Sequence, residues 1–487
     1  MTDRTFHLET IGCQMNVLDS ELLAEQLAAA GWRRVSDPAS ATLVALNTCS
    51  VRQHAEDKVW SRLGTLAAAR RRAARPIVAV VGCMAEHESA ALLDRGGVDI
   101  LCGPNDLHQF AAMVEAFETE ASPSIALSGA ARDRSTVASV GDLEQLDAGR
   151  HGAVAADRRA YVRITRGCNK HCSFCVVPSV RGPERHRRPE AILDEVRRLA
   201  DAGVVEVTLL GQTVNHYRGH DANGEVSFAQ LLRQIHDEVP QIARLRFVTS
   251  YPRDFGDDIL DAMADCPRIC RYLHLPAQSG SNAVLARMNR GYTAERYLDL
   301  LDRARRRLPD VTIAGDMIVG FPGETDADHA ASMALLWRAR YKSCFIFRYS
   351  PRPGTVAARR FADDVLLDAK RRRHAEMLAE QHRLSLAANR CLIGRTVEIL
   401  VEGPSKSQQK AAEVQKGLST IDAEHPSGHD NTSDSAPYST VQLTGRTRGD
   451  RIVVVDGPAT LAGHLRHVRI TDATSLTLHA DLVAGST

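Results

Sequence analysis

Three cysteines lie within eight residues of one another in the stretch from 166 to 175, which runs RGCNKHCSFC. Cys168, Cys172 and Cys175 are separated by three and then two residues. A loop this short can bring three thiolates to neighbouring corners of a four-iron cluster, which leaves the fourth iron open to a reactant. A zinc ion that also uses His171 is the alternative, but His171 and Cys172 are adjacent and would be awkward ligands for one tetrahedral ion. The spacing therefore favours an iron–sulfur cluster with an open iron.

A second set of three cysteines is spread over the first part of the chain. Cys13, Cys49 and Cys83 are 36 and 34 residues apart, and each directly follows a predicted strand. In a parallel sheet such positions meet at the carboxyl edge, where α/β sheets bind ligands. Three buried core thiols are the alternative, since free cysteine is commonly buried. Because of the downstream motif, we predict a second cluster here. We expect the other cysteines to be packing residues: Cys102, Cys266, Cys270, Cys344 and Cys391.

The elements that must position these cysteines alternate between strand and helix. In the first ~115 residues the predicted strands are Thr5–Ile11, Thr42–Asn47 and Pro76–Val81. The alternation resumes at Tyr161 and predicts six further strands at Tyr161–Thr165, Val204–Leu210, Arg244–Thr249, Tyr272–Leu275, Thr312–Val319 and Ser343–Tyr349. Such alternation is typical of parallel α/β sheets, and six units fit a partial (β/α) barrel with its site at the C-terminal ends of the strands.

After Arg390 the pattern changes to short β-like runs, which predict a small antiparallel barrel. The fold class is therefore α/β multidomain: an N-terminal parallel α/β domain, a (β/α)6 partial barrel and a C-terminal antiparallel β-barrel. The expected boundaries are 1–120 for the first domain, 121–153 for a linker, 154–388 for the partial barrel, 389–475 for the last domain with a polar insertion at 405–439, and 476–487 for a tail.

Charge and hydropathy restrict the partners and the cellular compartment that we expect for the protein. Lys and Arg total 61 against 60 Asp and Glu, so an anionic partner must be met by local patches. No apolar run is long enough to span a membrane, and the start lacks the layout of a secretory signal. We therefore expect a cytoplasmic protein that does not insert in membranes.

Basic residues are nevertheless concentrated in particular tracts. Arg181 and the run Arg185–Arg188 follow the clustered cysteines and could guide substrate phosphates. In the last domain five arginines offset Asp450 and Asp456 and predict an RNA-binding face: Arg446, Arg448, Arg451, Arg466 and Arg469. For Arg303–Arg307 and Lys370–Arg373 we expect only a solvated helix face.

Several motifs together resemble the methylthiotransferases, a family of radical S-adenosylmethionine (SAM) proteins. They are Gly12-Cys13-Gln14-Met15-Asn16, Leu46–Arg52, His274–Ser281 and Tyr349–Thr355, beside the clustered cysteines. Within the family, Gln14-Met15 resembles the branch that acts on dimethylallyl-adenosine in tRNA. The chain departs from the usual pattern at Arg166, His186, Thr213 and Tyr251.

The resemblance implies an N-terminal cluster domain, a radical SAM core and a C-terminal TRAM domain. It implies two [4Fe-4S] clusters bound by the six cysteines, SAM as cofactor, and no catalytic residues beyond the cluster ligands. By position in the family, the SAM-binding residues are expected to be Phe174, Gly211, Gln212, Gln278, Ser279, Asp316, Gly320 and Glu324.

The implied reaction adds a methylthio group to C2 of N6-(dimethylallyl)adenosine next to the anticodon, in tRNAs that read codons beginning with U. One SAM provides the methyl group and a second provides a 5′-deoxyadenosyl radical, because this C–H bond is too inert for acid–base chemistry. The implied partners are tRNA and an electron donor such as flavodoxin or ferredoxin, with the chain acting as a monomer.

Three alternatives remain open at this point. The first two are a methylthiotransferase that acts on a ribosomal-protein aspartate and one that acts on threonylcarbamoyladenosine in tRNA. The third is a non-catalytic iron–sulfur sensor that binds RNA. The first two share every cluster ligand, and only Gln14-Met15 argues against them.

Overall fold

The computed structural model describes residues 4–50, 53–70, 76–95, 97–120, 122–128, 144, 146–147, 157–409 and 440–483. Most of the predicted polar insertion at 405–439 lies outside these ranges, as does most of the predicted linker at 121–153. Within the linker, Glu144, Leu146 and Asp147 are helical and buried. These three residues therefore belong to the packed structure.

The N-terminal domain is built on a parallel sheet whose described strands have the order β2-β1-β3-β4-β5-β6. The strands are β1 Thr5–Ile11, β2 Arg33–Arg34, β3 Leu43–Thr48, β4 Ile77–Gly82, β5 Ile100–Cys102 and β6 Ser124–Ala126. The helices are Gln14–Ala29, Gln53–Arg70, Cys83–His87, Ser89–Asp94 and Phe110–Glu120. Strands β3 and β4 are almost entirely buried because helices cover both faces of the sheet, as their continuous apolar runs predict.

The second domain contains all six predicted barrel strands, in two parallel groups of three ordered β13-β10-β7 and β14-β15-β16. The domain's strands are β7 Arg159–Arg163, β8 Thr165–Arg166, β9 Arg185–His186, β10 Glu206–Leu210, β11 Arg218–Asp221, β12 Gly224–Ser227, β13 Arg244–Phe247, β14 Tyr272–His274, β15 Thr312–Val319 and β16 Ser343–Arg348. Its helices are Val177–Arg181, Pro189–Asp201, Phe228–Glu238, Asp257–Asp265, Asn282–Arg287, Ala294–Arg307, Asp326–Ala339, Val356–Arg360 and Leu367–Arg390.

The C-terminal domain is a closed barrel with the strand order β17-β18-β19-β21-β20. Its strands are β17 Thr396–Pro404, β18 Thr440–Thr447, β19 Ile452–Pro458, β20 Leu465–Ala473 and β21 Thr477–Leu482. The expected tail at 476–487 is therefore wrong. Its residues Thr477–Leu482 pair with β19 and β20 and close the barrel, because an unpaired edge would leave backbone groups unsatisfied.

The turn between β18 and β19 packs against the partial barrel. Arg446 pairs with Glu402 and Asp450, while Arg448 donates to backbone carbonyls of the second domain and Arg451 donates to Asn389. Of the five arginines predicted to form an RNA-binding face, Arg448 and Arg451 are engaged in this interface instead, and Arg446 is held by ion pairs within the C-terminal domain. Arg469 is exposed and Arg466 is half-buried on β20.

The five cysteines outside the two trios differ in burial, although we expected all of them to be packing residues. Cys102, Cys266 and Cys270 are buried, Cys344 is half-buried, and Cys391 is exposed. The packing role is therefore wrong for Cys391, which directly follows the last turn of a helix. Among the described helices, none combines the length and the apolarity that a membrane crossing requires.

Candidate cluster and cofactor sites

Cys13, Cys49 and Cys83 lie together at the carboxyl edge of the N-terminal sheet. Each follows one of three adjacent strands, β1, β3 and β4. The register pairs Ile11 with Thr48 and Thr48 with Gly82, so the three strands end at the same level. This is the arrangement that the 36- and 34-residue spacing predicts.

Two buried asparagines hold the loops that carry these cysteines. The side chain of Asn16 accepts from the Cys13 backbone N–H at 3.1 Å and donates to Asn47 Oδ1 at 2.9 Å. Asn47 in turn donates to the Asn16 carbonyl at 2.8 Å. Gly82 is required before Cys83, because its φ is +90° and a Cβ there would lie 2.7 Å from the Thr48 carbonyl oxygen. These polar contacts fix the geometry of the loops after β1 and β3, and a shift of either strand would break them.

A buried arginine from the second domain reaches this trio. Arg181 Nε lies 3.2 Å from Cys83 Sγ, and the same guanidinium contacts Asp19 at 3.2 Å. A hydrogen bond with Cys49 and, against the opposing effect of burial, the charge of Arg181 lower the pKa of Cys13 to about 6. At Cys13, Arg181 therefore favours the thiolate form, which is the form that binds metals, whereas burial raises the pKa of Cys83 despite the same arginine.

The placement of Arg181 corrects one expectation from the sequence. Arg181 is only 5% exposed, and Arg187 is also buried, where it pairs with Glu195 at 2.6 Å. Neither side chain can reach a phosphate in solvent, so their predicted role as guides for substrate phosphates is wrong. The sequence offered no signal for the contact with Cys83, which lies 98 residues away.

Cys168, Cys172 and Cys175 lie in a tight loop that follows β8 at the mouth of the partial barrel. The Cys168 backbone N–H donates to the Gly182 carbonyl at 3.1 Å, and the Cys175 N–H donates to the Cys172 carbonyl at 3.1 Å. Gly167 allows this close approach, because its φ is +70° and a Cβ there would lie 2.1 Å from the Pro183 oxygen. The loop thus gathers the three half-buried thiols on one side.

This second trio also has a buried arginine at one sulfur. Arg290 Nη1 donates to Cys172 Sγ at 3.3 Å, and its guanidinium lies 4.5 Å from the ring centre of Tyr251. Burial raises the pKa of Cys168 to about 11 and that of Cys175 to about 12. These two thiols therefore stay protonated unless a bound metal displaces the proton.

The spacing of the sulfur atoms bears on which metal group fits. Among the described residues, two groups of possible ligands lie within 4.8 Å of one another, Glu184–His186–His216 and Glu56–His87–Glu88, and neither cysteine trio is among them. A single zinc ion holds each sulfur at about 2.3 Å. Two sulfur ligands of one zinc ion would therefore lie less than 4.8 Å apart. Both trios therefore suit a larger cluster better than one ion.

The residues predicted to bind SAM surround the C-terminal ends of the barrel strands. Phe174 packs edge-on against Phe321, with 6.5 Å between the ring centres. The Gln278 backbone is joined to β15 by hydrogen bonds of 2.8 Å to Asp316 and Ile318, and the Asp316 side chain lies 3.3 Å from His274. Gly211 lies directly beyond β10 and Gln212 follows it. These residues share the rim that the cysteine loop also borders.

Three of the predicted SAM-binding residues make structural contacts in this part of the fold. Glu324 is buried, accepts from the Gly320 N–H at 2.9 Å and pairs with Arg373 at 2.9 Å. Ser279 lies 3.2 Å from Ser332. Arg373 and Lys370 are themselves buried, so the solvated face expected for Lys370–Arg373 is wrong for these two residues. Glu324 and its arginine thus fix the turn at Gly320.

Comparisons with known proteins agree with this arrangement. Residues 162–336 match the model of the Radical SAM superfamily, and residues 5–103 match that of the uncharacterized protein family UPF0004. Two solved structures of the radical S-adenosylmethionine methyltransferase TsrM from Kitasatospora setae share the fold at 17% identity. Their TM-scores are 0.55 and 0.51, and the first covers 73% of this chain and 74% of TsrM.

Relatives of similar length give the family. The tRNA-2-methylthio-N(6)-dimethylallyladenosine synthase of Rhodopirellula baltica is 42% identical, over 98% of this chain and 95% of its own. The protein of the same name from Moorella thermoacetica is 38% identical over 99% of both chains. On identity that extends over almost the whole length, the chain belongs to the family of radical SAM tRNA-2-methylthio-N(6)-dimethylallyladenosine synthases.

Proposed function

We propose that the chain is a methylthiotransferase that modifies C2 of N6-(dimethylallyl)adenosine next to the anticodon of tRNA. The observation that carries the proposal is the presence of two separate cysteine trios, each with a buried arginine at one sulfur. One trio suffices for SAM cleavage, whereas a second one provides a place for the sulfur that is transferred. The family relatives support the choice of substrate.

The donor sets fit two [4Fe-4S] clusters, which Cys13, Cys49 and Cys83 and then Cys168, Cys172 and Cys175 would hold. Each set offers three thiols, which would leave one iron open for SAM or for sulfur. With SAM bound, the core cluster supplies one-electron chemistry that can activate a carbon with an inert C–H bond. Phe174, Gly211, Gln212, Gln278, Ser279, Asp316, Gly320 and Glu324 would form or support the SAM pocket.

The chain's own contribution is mainly to position the two sites. Arg181 ends the helix Val177–Arg181, which begins two residues after Cys175, and its guanidinium contacts Cys83. Arg163 of β7 adds a second link, since it pairs with Asp19 at 2.6 Å. These buried contacts fix the N-terminal trio relative to the core trio. Holding the sulfur and the target carbon in a reactive geometry can supply a large part of the rate enhancement.

The partners follow from the same chemistry. Exposed Arg469 and half-buried Arg466 on β20 offer cationic groups to the tRNA backbone. Cleavage of SAM needs one electron, for which a flavodoxin or ferredoxin is the proposed donor. We further propose that the chain acts as a monomer in the cytoplasm.

The test is an iron count on the wild type and three variants of the full chain, reconstituted without oxygen. Changing Cys13, Cys49 and Cys83 to alanine should remove about half of the iron, and changing Cys168, Cys172 and Cys175 should also remove about half. Cys391→Ala, at an exposed position, is the matched control and should keep all of it. Both triple variants should lose the methylthio product on dimethylallylated tRNA, but only the second should lose formation of 5′-deoxyadenosine. A wild-type chain with iron for a single cluster contradicts the proposal.

A further inference from the structure

A group of three possible metal ligands lies beside the core cysteine loop, in addition to the two thiol trios. Glu184 and His186 flank Arg185 at the start of β9, and His216 lies in the turn that follows β10. Their ligand atoms lie within 4.8 Å of one another. His216 Nδ1 is 2.6 Å from Glu184 Oε2, and the two histidine rings have centres 6.3 Å apart. Two imidazoles and one carboxylate thus converge on one point.

The surroundings hold these side chains in place. Thr213 Oγ1 donates to Glu184 Oε1 at 2.5 Å, which leaves Oε2 directed to His216. The His186 ring packs edge-on against buried Tyr217, with 5.7 Å between the ring centres. Within the described structure, Nδ1 of His186 is buried and has no hydrogen-bond partner. Burial of an imidazole nitrogen without a hydrogen-bond partner costs free energy unless a ligand binds to it.

We propose that Glu184, His186 and His216 bind a divalent first-row transition ion such as Zn²⁺. Two histidines with one carboxylate form a known ligand set for such ions, with a fourth position left to water. The His216 side chain is 36% exposed, so an ion can reach the site from solvent.

The other ligand group in the described structure suits a metal less well. In Glu56–His87–Glu88, Arg352 already pairs with Glu56 Oε2 at 2.6 Å, and His87 Nε2 lies 3.1 Å from the Pro353 carbonyl oxygen. A bound cation there would compete with a buried arginine. At Glu184 the only ionic partner within contact distance among the described residues is His216, which would itself become a ligand.

The proposed ion would join two segments that border the core site. The Glu184 backbone N–H donates to Asn169, the residue after Cys168, at 3.1 Å. His216 lies four residues after Gln212, which the family places near SAM. An ion at this point would therefore hold the cysteine loop against the end of β10.

Metal analysis of the full chain tests the site without relying on activity. The cluster-loaded chain is dialysed against Zn²⁺ and then against metal-free buffer, and bound zinc and iron are measured. We expect the wild type to retain about one more zinc per chain than the double variant His186→Ser, His216→Ser, with equal iron in both. His220→Ser, an exposed histidine on β11, is the matched control and should retain zinc as the wild type does.

Thermal melting provides a second measurement, which distinguishes loss of the metal site from misfolding of the variant. Zinc should raise the Tm of the wild type and of His220→Ser but not that of the double variant, since an ion that binds only the folded state stabilises it. Without zinc, the double variant should melt near the wild type. Equal zinc content in the wild type and the double variant, including none in either, would overturn the proposal, as would a wild-type Tm that does not respond to zinc.

Discussion

Arg181 Nε lies 3.2 Å from Cys83 Sγ, so a side chain of the partial barrel reaches the cysteine trio of the N-terminal sheet. The same guanidinium contacts Asp19, which also pairs with Arg163 at 2.6 Å. All of these side chains are buried. The interface between the first two domains therefore contains a cluster ligand candidate and the charges that position it.

Arg181→Gln should weaken the N-terminal cluster. The change removes the positive charge at Cys83 and one of two cationic partners of Asp19, and breaking a buried ion pair typically costs about 3–5 kcal/mol. We expect iron content to fall toward that of a single cluster while SAM cleavage at the core persists. Iron analysis together with a 5′-deoxyadenosine assay measures both. Full iron retention would show that Arg181 is not needed to hold this cluster.

Arg290→Gln is the counterpart at the other trio and should cause a similar loss of iron, but it should also reduce 5′-deoxyadenosine formation. Arg290 donates to Cys172 at 3.3 Å and to the Pro276 carbonyl at 2.9 Å. Its loss should reduce 5′-deoxyadenosine formation at least tenfold, which corresponds to about 1.4 kcal/mol in the barrier, and should remove about half of the iron. If Arg181→Gln and Arg290→Gln gave the same pattern, the assignment of one arginine to each cluster would be wrong.

Asp147 should make the stability of the fold sensitive to acid. Burial alone would raise its pKa, but Arg163, Arg166 and Arg187 outweigh this effect and lower the pKa from 3.8 to about 2. Because the folded-state pKa is depressed, the stabilisation is present above about pH 4 and is lost as the pH falls toward 2. Denaturant unfolding at several pH values should show this decline in the wild type and a flatter profile in Asp147→Asn.

Asp157→Asn serves as the control for Asp147. Asp157 pairs with Arg159 at 2.6 Å, but both side chains are partly exposed. Its removal should cost about 1 kcal/mol or less, against about 3–5 kcal/mol for Asp147→Asn at neutral pH. Equal losses in the two variants would mean that the buried network around Asp147 does not stabilise the fold more than an exposed ion pair does.

Arg469→Glu should weaken tRNA binding. Arg469 is exposed on β20, where the proposed function places the tRNA backbone. Loss of one phosphate contact should lower affinity several-fold and reduce the salt dependence of binding by about one unit in the log–log slope. Binding measured at several salt concentrations checks this. Arg296→Glu, on an exposed position of the helix Ala294–Arg307, should change little, and equal effects would argue against a specific RNA face on β20.

Much of the architecture could be predicted from local sequence. The strands at Thr5–Ile11 and Thr312–Val319 occur as expected, because β-rich runs that alternate with helical segments are typical of parallel α/β sheets. The meeting of Cys13, Cys49 and Cys83 was predictable for the same reason, since residues after adjacent parallel strands share one edge. The last strand, Thr477–Leu482, was missed because its short mixed pattern becomes a strand only when β19 and β20 pair with it.

The sequence by itself determined the two cysteine trios, the order of the domains and the family, because these depend on spacing and on local periodicity. Only the tertiary structure decided that Arg181 contacts Cys83 and that Arg290 contacts Cys172. These contacts join residues that are 98 and 118 positions apart in the sequence. The tertiary structure also directed Arg448 toward the backbone of the partial barrel. The physical reason is that a buried charged side chain must pair with whichever group the packing brings next to it. Burial is a property of the packed domains and not of the local sequence.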